Sequence, residues 1–188
     1  RLQPPIQPVP DQAHYPVTSA QKRMYVLEKF ENIGVSYHMP LVFEIEGRLD
    51  LDQLQQAFQR LVNRHEAFRT SFHFVEGELV QKVQAKLPFQ FVVHHAEESE
   101  LDSLIQEFIR PFDLGQAPLL RVSLIQLNST RHLLLIDMHH IISDGVSLEI
   151  FLQELSELYQ GQLLPEQTIQ YKDYATWLQK RIDNNGLK

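Results

Sequence analysis

The sequence predicts an α/β fold, a layered sandwich on a mixed β-sheet. Three observations predict it. Segments with helical apolar spacing are interleaved with segments of alternating or continuous apolar residues. Two pairs of strand-like segments flank short turn signals, Glu76-Gly77 and Asn128-Ser129-Thr130, and read as hairpins. Leu133-Leu134-Leu135-Ile136 is apolar without a break, the pattern of a central strand covered on both faces. No internal repeat and no glycine-rich phosphate loop occurs, so a clean doubly wound nucleotide-binding pattern is absent.

The elements follow in order. Residues 1–12 hold Pro4, Pro5, Pro8 and Pro10, which fix an extended backbone and bar a helix. They are expected to form a proline-rich interdomain linker, with a single domain over 13–188. Thr18 and Gln21 have capping-box spacing, so a helix should start there, with Met24, Tyr25, Leu27 and Phe30 supplying apolar surface. A strand is expected over 39–46. Asp50 should cap a helix running to about Arg64, with Leu54, Ala57, Phe58, Leu61 and Val62 on its buried face. Strands near 69–75 and 78–84 form the first hairpin, and Phe89, Phe91 and Val93 alternate as a short strand. Ser99 should cap a helix that ends before Pro111. The strands of the second hairpin are expected at 119–127 and 131–138. A helix over 146–160 should bury Val146, Ile150, Phe151, Leu155 and Leu158, with Gly161 at its C-terminal end. A last amphipathic helix fits 171–182.

Composition narrows the function. The chain has 188 residues, a formal net charge of −7 and no cysteine. Disulfide scaffolding and thiol catalysis are excluded, and a reducing cytoplasm is the simplest home. An acidic chain without a basic cluster is a poor nucleic-acid ligand, and no apolar run of about 18 residues spans a membrane. Glu97, Glu98 and Glu100 read as a solvated loop before a helix.

Chemistry is concentrated in Asp137-Met138-His139-His140-Ile141-Ile142-Ser143-Asp144-Gly145, between the most apolar strand and a helix. If the strand continues through the histidines, their side chains point to opposite faces. One then reaches a substrate while the other packs or orients. Imidazole titrates near neutrality and suits proton removal from an attacking amine or hydroxyl. Asp144 is expected to fix the loop by pairing with an arginine. Gly145 is expected to admit close approach of backbone and to offer an N–H to developing negative charge. A metal held by His139 or His140 with Asp137 or Asp144 matches no strong ligand signature. The second polar cluster, Arg64 to Thr70, has two readings: a basic helix C-terminus favoured by the helix dipole, or an anchor in which Arg64 or Arg69 holds the Asp144 loop.

His139 to Gly145 matches the His-His-x-x-x-Asp-Gly motif of condensation domains of nonribosomal peptide synthetases, which chloramphenicol acetyltransferase-like enzymes share in shorter form. Ser19-Ala20-Gln21-Lys22-Arg23-Met24-Tyr25 resembles the first core motif of that family. Arg64-His65-Glu66 with Arg69-Thr70-Ser71-Phe72 resembles the second, and Tyr171-Lys172-Asp173-Tyr174-Ala175-Thr176-Trp177 the fourth. The resemblance runs over nearly the whole chain. It implies a chloramphenicol acetyltransferase-like lobe, the N-terminal of two, with the channel running between the lobes. It also implies amide formation between a donor acyl or peptidyl thioester and an acceptor aminoacyl thioester. Both are carried on the phosphopantetheine of partner carrier proteins, and the domain binds no cofactor or metal of its own. The implied partners are the upstream and downstream carrier proteins, the C-terminal lobe and the neighbouring synthetase domains.

By the same resemblance His140 is the central catalytic residue, as a base or as a group that positions the amine. His139 is more structural, Asp144 is tied to an arginine (Arg64 in the first instance), and Gly145 borders the channel. Heterocyclising relatives replace the histidine pair with aspartate. Epimerising relatives keep the motif and remain an alternative, as do a free-standing acyltransferase and a non-catalytic carrier-binding module. Tyr37-His38-Met39-Pro40 resembles the subtype that takes an L-configured donor. Members of the family are more than twice this length, so the chain by itself is expected to be weak or inactive, with a face that self-associates.

Overall fold

A computed structural model describes residues 4–185. Twelve regular elements are found among them: β1 (Tyr15–Pro16), α1 (Ser19–Phe30), β2 (Leu41–Glu46), α2 (Leu51–Arg64), β3 (Thr70–Val75), β4 (Glu78–Val83), β5 (Val92–His95), α3 (Leu101–Phe108), β6 (Leu120–Asn128), β7 (Arg131–Met138), α4 (Leu148–Tyr159) and α5 (Tyr171–Asn185). They form two sheets. One is ordered β1-β4-β3 and the other β2-β7-β6-β5. Only β5 with β6 is parallel, so the larger sheet is mixed, as predicted.

The uninterrupted run in β7 is explained by its position between β2 and β6, with both faces covered. Alternate residues serve two cores. Leu134, Ile136 and Met138 join Phe58 and Leu61 of α2, Phe68, Phe72 and Phe151 of α4 in the main core. Leu133 and Leu135 join Ile125 and Phe108 of α3 in a smaller one. The sheet is therefore the middle layer of a sandwich, with α2 and α4 on one face and α3 on the other.

Several local signals are realised. Thr18 accepts from the Gln21 N–H at 3.2 Å while the Gln21 side chain accepts from the Thr18 N–H at 3.0 Å, a complete capping box. Asp50 caps α2 through the Gln53 N–H at 3.0 Å. Four details depart from expectation. Phe89 and Phe91 precede β5 and lie outside its ladder. The side chains of Gln55 and Gln59 on α2 supply the hydrogen bonds that a neighbouring strand would: Gln59 donates to Leu87 O (3.0 Å) and accepts from Phe89 N–H (2.8 Å), and Gln55 bonds Phe89 O and Phe91 N–H. Ser99 does not cap α3: it lies inside a 3₁₀ turn, Glu98–Glu100, which Glu97 and Glu100 cap and which runs directly into the helix. Ile150 is exposed, because Phe151, Leu155 and Leu158 already fill the face of α4 that meets the core. Phe30, at the end of α1, is 74% exposed.

The proline-rich segment runs along α5 in its described part. Val9 N–H donates to Asp173 Oδ1 at 2.9 Å and the Trp177 indole donates to Pro4 O at 2.9 Å. No helix among the described residues is long and apolar enough to cross a membrane.

Candidate active site

The pairing of β2 with β7 carries on past Met138. Met39 N–H donates to Met138 O (2.9 Å), His38 bridges His139, and His140 N–H donates to Tyr37 O (2.8 Å). The chain then turns into a short 3₁₀ helix, His140–Ile142, and reaches Gly145 before α4. The histidines are divided as the strand geometry requires: His139 is fully buried and His140 is exposed.

His139 is held from both sides. Its Nδ1 accepts from Ile141 N–H at 3.0 Å, so Nε2 carries the hydrogen and donates to Glu28 Oε1 at 2.9 Å. Glu28 comes from α1. It was missed in the sequence because it is distant in the chain, and the only local signal is an acidic residue late in a helix whose N-terminus bears a motif. Beside this pair, His38 Nδ1 and Asp137 Oδ2 meet at 2.6 Å with both side chains buried, and the His38 ring lies on Phe112 with centroids 4.9 Å apart. His140 Nδ1 is hydrogen-bonded to Ser143 Oγ, and the residue is exposed.

The other motif stretches converge on this loop. Gln21 of α1 donates to Ile141 O at 3.4 Å. The Thr18 hydroxyl meets the Tyr171 hydroxyl at 3.1 Å, and Lys172 Nζ pairs with Glu66 at 2.8 Å. A Cβ on Gly145 would stand 3.0 Å from Ala67 Cβ and 3.1 Å from Tyr171 Cβ. Gly145 is therefore required where the loop, the segment after α2 and the start of α5 touch. Burial pushes the Tyr171 hydroxyl pKa up; the Thr18 hydrogen bond works against this and the nearby Asp144 charge adds to it.

Three expectations for this loop are corrected. Asp144 is exposed, and among the described residues no arginine pairs with it. Arg64 instead donates to Glu154 Oε2 at 3.2 Å and to Pro165 O, because the end of α2 faces α4 and the loop after it. Arg69 is used on backbone carbonyls, donating to Val62 O (3.0 Å), Asn63 O (3.1 Å), Gln84 O (2.6 Å) and Ala85 O (3.3 Å). It closes the C-terminus of α2, which selects the helix-end reading of this cluster. The third correction is to Gly145, whose N–H donates to Ile142 O at 3.1 Å and is committed within the loop. Among the described residues no cluster of three metal-ligating side chains forms.

The family profile described as "Condensation domain" matches residues 11–188. Gramicidin S synthase 2 of Brevibacillus brevis is 49% identical over 183 residues, which are 97% of this chain and 4% of that protein. Surfactin synthase subunit 2 of Bacillus subtilis (strain 168) is 51% identical over 183 residues, 97% of this chain and 5% of the relative. The chain thus spans about one-twentieth of these relatives' length. Among solved structures, a complex of the X-domain and OxyB from teicoplanin biosynthesis superposes with a TM-score of 0.88 at 26% identity, over 98% of this chain and 42% of that one. The first condensation domain of the CDA synthetase gives 0.75 at 22% identity, over 92% and 47%, and supports the fold alone. The chain belongs to the condensation-domain family, with the chloramphenicol acetyltransferase-like fold of its N-terminal lobe.

Proposed function

We propose that this chain supplies the reacting histidine for amide-bond formation in nonribosomal peptide synthesis. The acceptor amine of an aminoacyl thioester attacks the carbonyl of a donor acyl or peptidyl thioester, both delivered on the phosphopantetheine of partner carrier proteins. The C–N bond forms, the C–S bond breaks, and the donor pantetheine leaves as a thiol. One observation carries the reading: within the His-His-x-x-x-Asp-Gly loop, His139 is buried and hydrogen-bonded while His140 stands exposed beside it. His139, through Glu28, sets the backbone from which His140 projects. Holding two tethered reactants in an attack geometry supplies much of the rate. The same reading gives His140 a base or amine-positioning role, places Gly145 at the channel border, and makes residues 1–12 an interdomain connection. The family match beginning at residue 11 supports that boundary.

The test uses one carrier protein loaded with an acyl donor and a second with an aminoacyl acceptor. The chain is added with and without a separately expressed C-terminal lobe, and intact-protein mass spectrometry follows acyl transfer. Transfer is expected with both lobes present, and His140→Ala should lower it by about 10²-fold or more. Equal transfer by His140→Ala overturns the assignment of His140. Isotope exchange at the donor α-carbon without amide formation would replace condensation by epimerisation.

A further inference from the structure

A histidine can accept a proton or an N–H only at a ring nitrogen that carries no hydrogen, and the two neutral tautomers expose different nitrogens. In His140 the choice is controlled by one hydroxyl. Ser143 Oγ lies within hydrogen-bond reach of His140 Nδ1 and also 2.8 Å from the His140 carbonyl oxygen. A serine hydroxyl has a single proton, and a carbonyl oxygen donates none. The contact with the carbonyl takes that proton, so Oγ presents a lone pair to Nδ1, and Nδ1 carries the ring hydrogen. Nε2 is left with its lone pair, on an exposed side chain.

The geometry is fixed locally. Ser143 is 8% exposed and follows the 3₁₀ turn directly, with its own N–H on His140 O at 3.1 Å. The neighbouring histidine is set the other way, because His139 Nδ1 accepts from Ile141 N–H and its Nε2 holds the hydrogen. Adjacent imidazoles in one loop thus hold opposite tautomers, each selected by a group within three residues.

We propose that Ser143 is a positioning residue that locks His140 in the Nδ1–H tautomer and so presents the Nε2 lone pair to an incoming amine N–H. The functional importance of this lock rests on the reading of His140 as the reacting histidine; the lock itself does not.

The chain labelled with ¹⁵N-histidine is examined by long-range ¹H–¹⁵N NMR at about pH 8.5, above the ordinary imidazole range. His140→Gln identifies the His140 resonances by their loss. The expected pattern for His140 is a protonated Nδ1 and an unprotonated Nε2. Ser143→Ala should move it toward the Nε2–H form that free imidazole side chains favour in water, and Ser143→Thr, which keeps the hydroxyl, should restore it. A protonated Nε2 in the wild type, or an unchanged pattern in Ser143→Ala, overturns the proposal. In the two-lobe assay, Ser143→Ala should lower kcat about tenfold, a part of the ~10²- to 10⁴-fold that a positioned base contributes, with KM for the acceptor carrier unchanged. If the tautomer follows Ser143 while neither His140→Ala nor Ser143→Ala affects transfer, the lock stands and the role of His140 falls. If the tautomer ignores Ser143 while His140→Ala abolishes transfer, the lock falls and the function stands.

Discussion

At the scale of single residues, the site depends on buried polar groups that must find partners. Glu28 is the clearest case. Its carboxylate is the acceptor for a His139 Nε2–H whose side chain is fully buried. Glu28→Ala leaves that hydrogen without a partner and should destabilise the fold by about 1–3 kcal/mol, read from a urea midpoint. Glu28→Gln keeps an acceptor oxygen and should recover most of the loss. His65 is a second case. Its Nε2 lies 2.6 Å from Glu154 and its ring stands edge-on to Phe68. Burial lowers its pKa; the Glu154 hydrogen bond and charge oppose this and Arg64 adds to it, and the net direction is down. The unfolded chain therefore takes up this proton first as pH falls through about 6.5, and stability falls from there toward the lower folded value. The melting temperature should drop between about pH 7.5 and 5.5, and His65→Gln, which keeps a donor for Glu154 but does not titrate, should flatten part of that slope. An unchanged slope would remove His65 from the account.

At the scale of elements, the loop between β7 and α4 is a joint at which three segments meet. Ala67 and Tyr171 both lie too close to Gly145 to admit a methyl group without moving. Gly145→Ala should cost about 1–3 kcal/mol by overpacking. Adding Ala67→Gly should recover part of this non-additively, because it removes one of the two close neighbours. Two independent, additive losses in the denaturation midpoints would contradict the joint. The same region shows what the sequence reveals and what it does not. Periodicity and caps located α1, α2 and the two hairpins, because those signals are local. The histidine loop was legible because its motif is contiguous. The partner of Asp144 was misread, because spacing cannot say where a long arginine side chain goes; the packing of α2 on α4 turns Arg64 to Glu154. Glu28 and Ser143 were overlooked for different reasons. Glu28 is brought to His139 only by folding, and Ser143 carries no distinctive pattern beside two histidines. Phe89 and Phe91 look like strand residues because they alternate, but glutamine side chains on α2, rather than a neighbouring strand, take their backbone groups.

At the scale of the whole molecule, the two far regions of the chain are joined, and the joint bears on the site. Asp173 is 2% exposed, and its two oxygens are divided between distant segments. Oδ1 accepts from Val9 N–H and Oδ2 from Gln170 N–H at 2.8 Å, the latter at the start of α5. Trp177, one turn further on, donates to Pro4 O. The proline-rich segment is thus a strap along α5, and α5 carries the Tyr171 that touches Gly145 and the Lys172 that pairs with Glu66. Proline suits the strap, since its fixed φ limits the disorder that binding must overcome. Removing residues 1–10 strips a hydrogen bond from a buried carboxylate and another from the indole N–H of Trp177, the only tryptophan in the chain. The expected outcome is a red shift of tryptophan emission and a lower melting temperature, with a loss of about 1 kcal/mol for each hydrogen bond to the strap that is exchanged for water. Asp173→Asn in the intact chain should lower the melting temperature without the red shift, since the Trp177 indole keeps its hydrogen bond to Pro4 O. If truncation leaves both emission and melting temperature unchanged, the strap contributes nothing to α5, and Tyr171 holds its place against Gly145 without it.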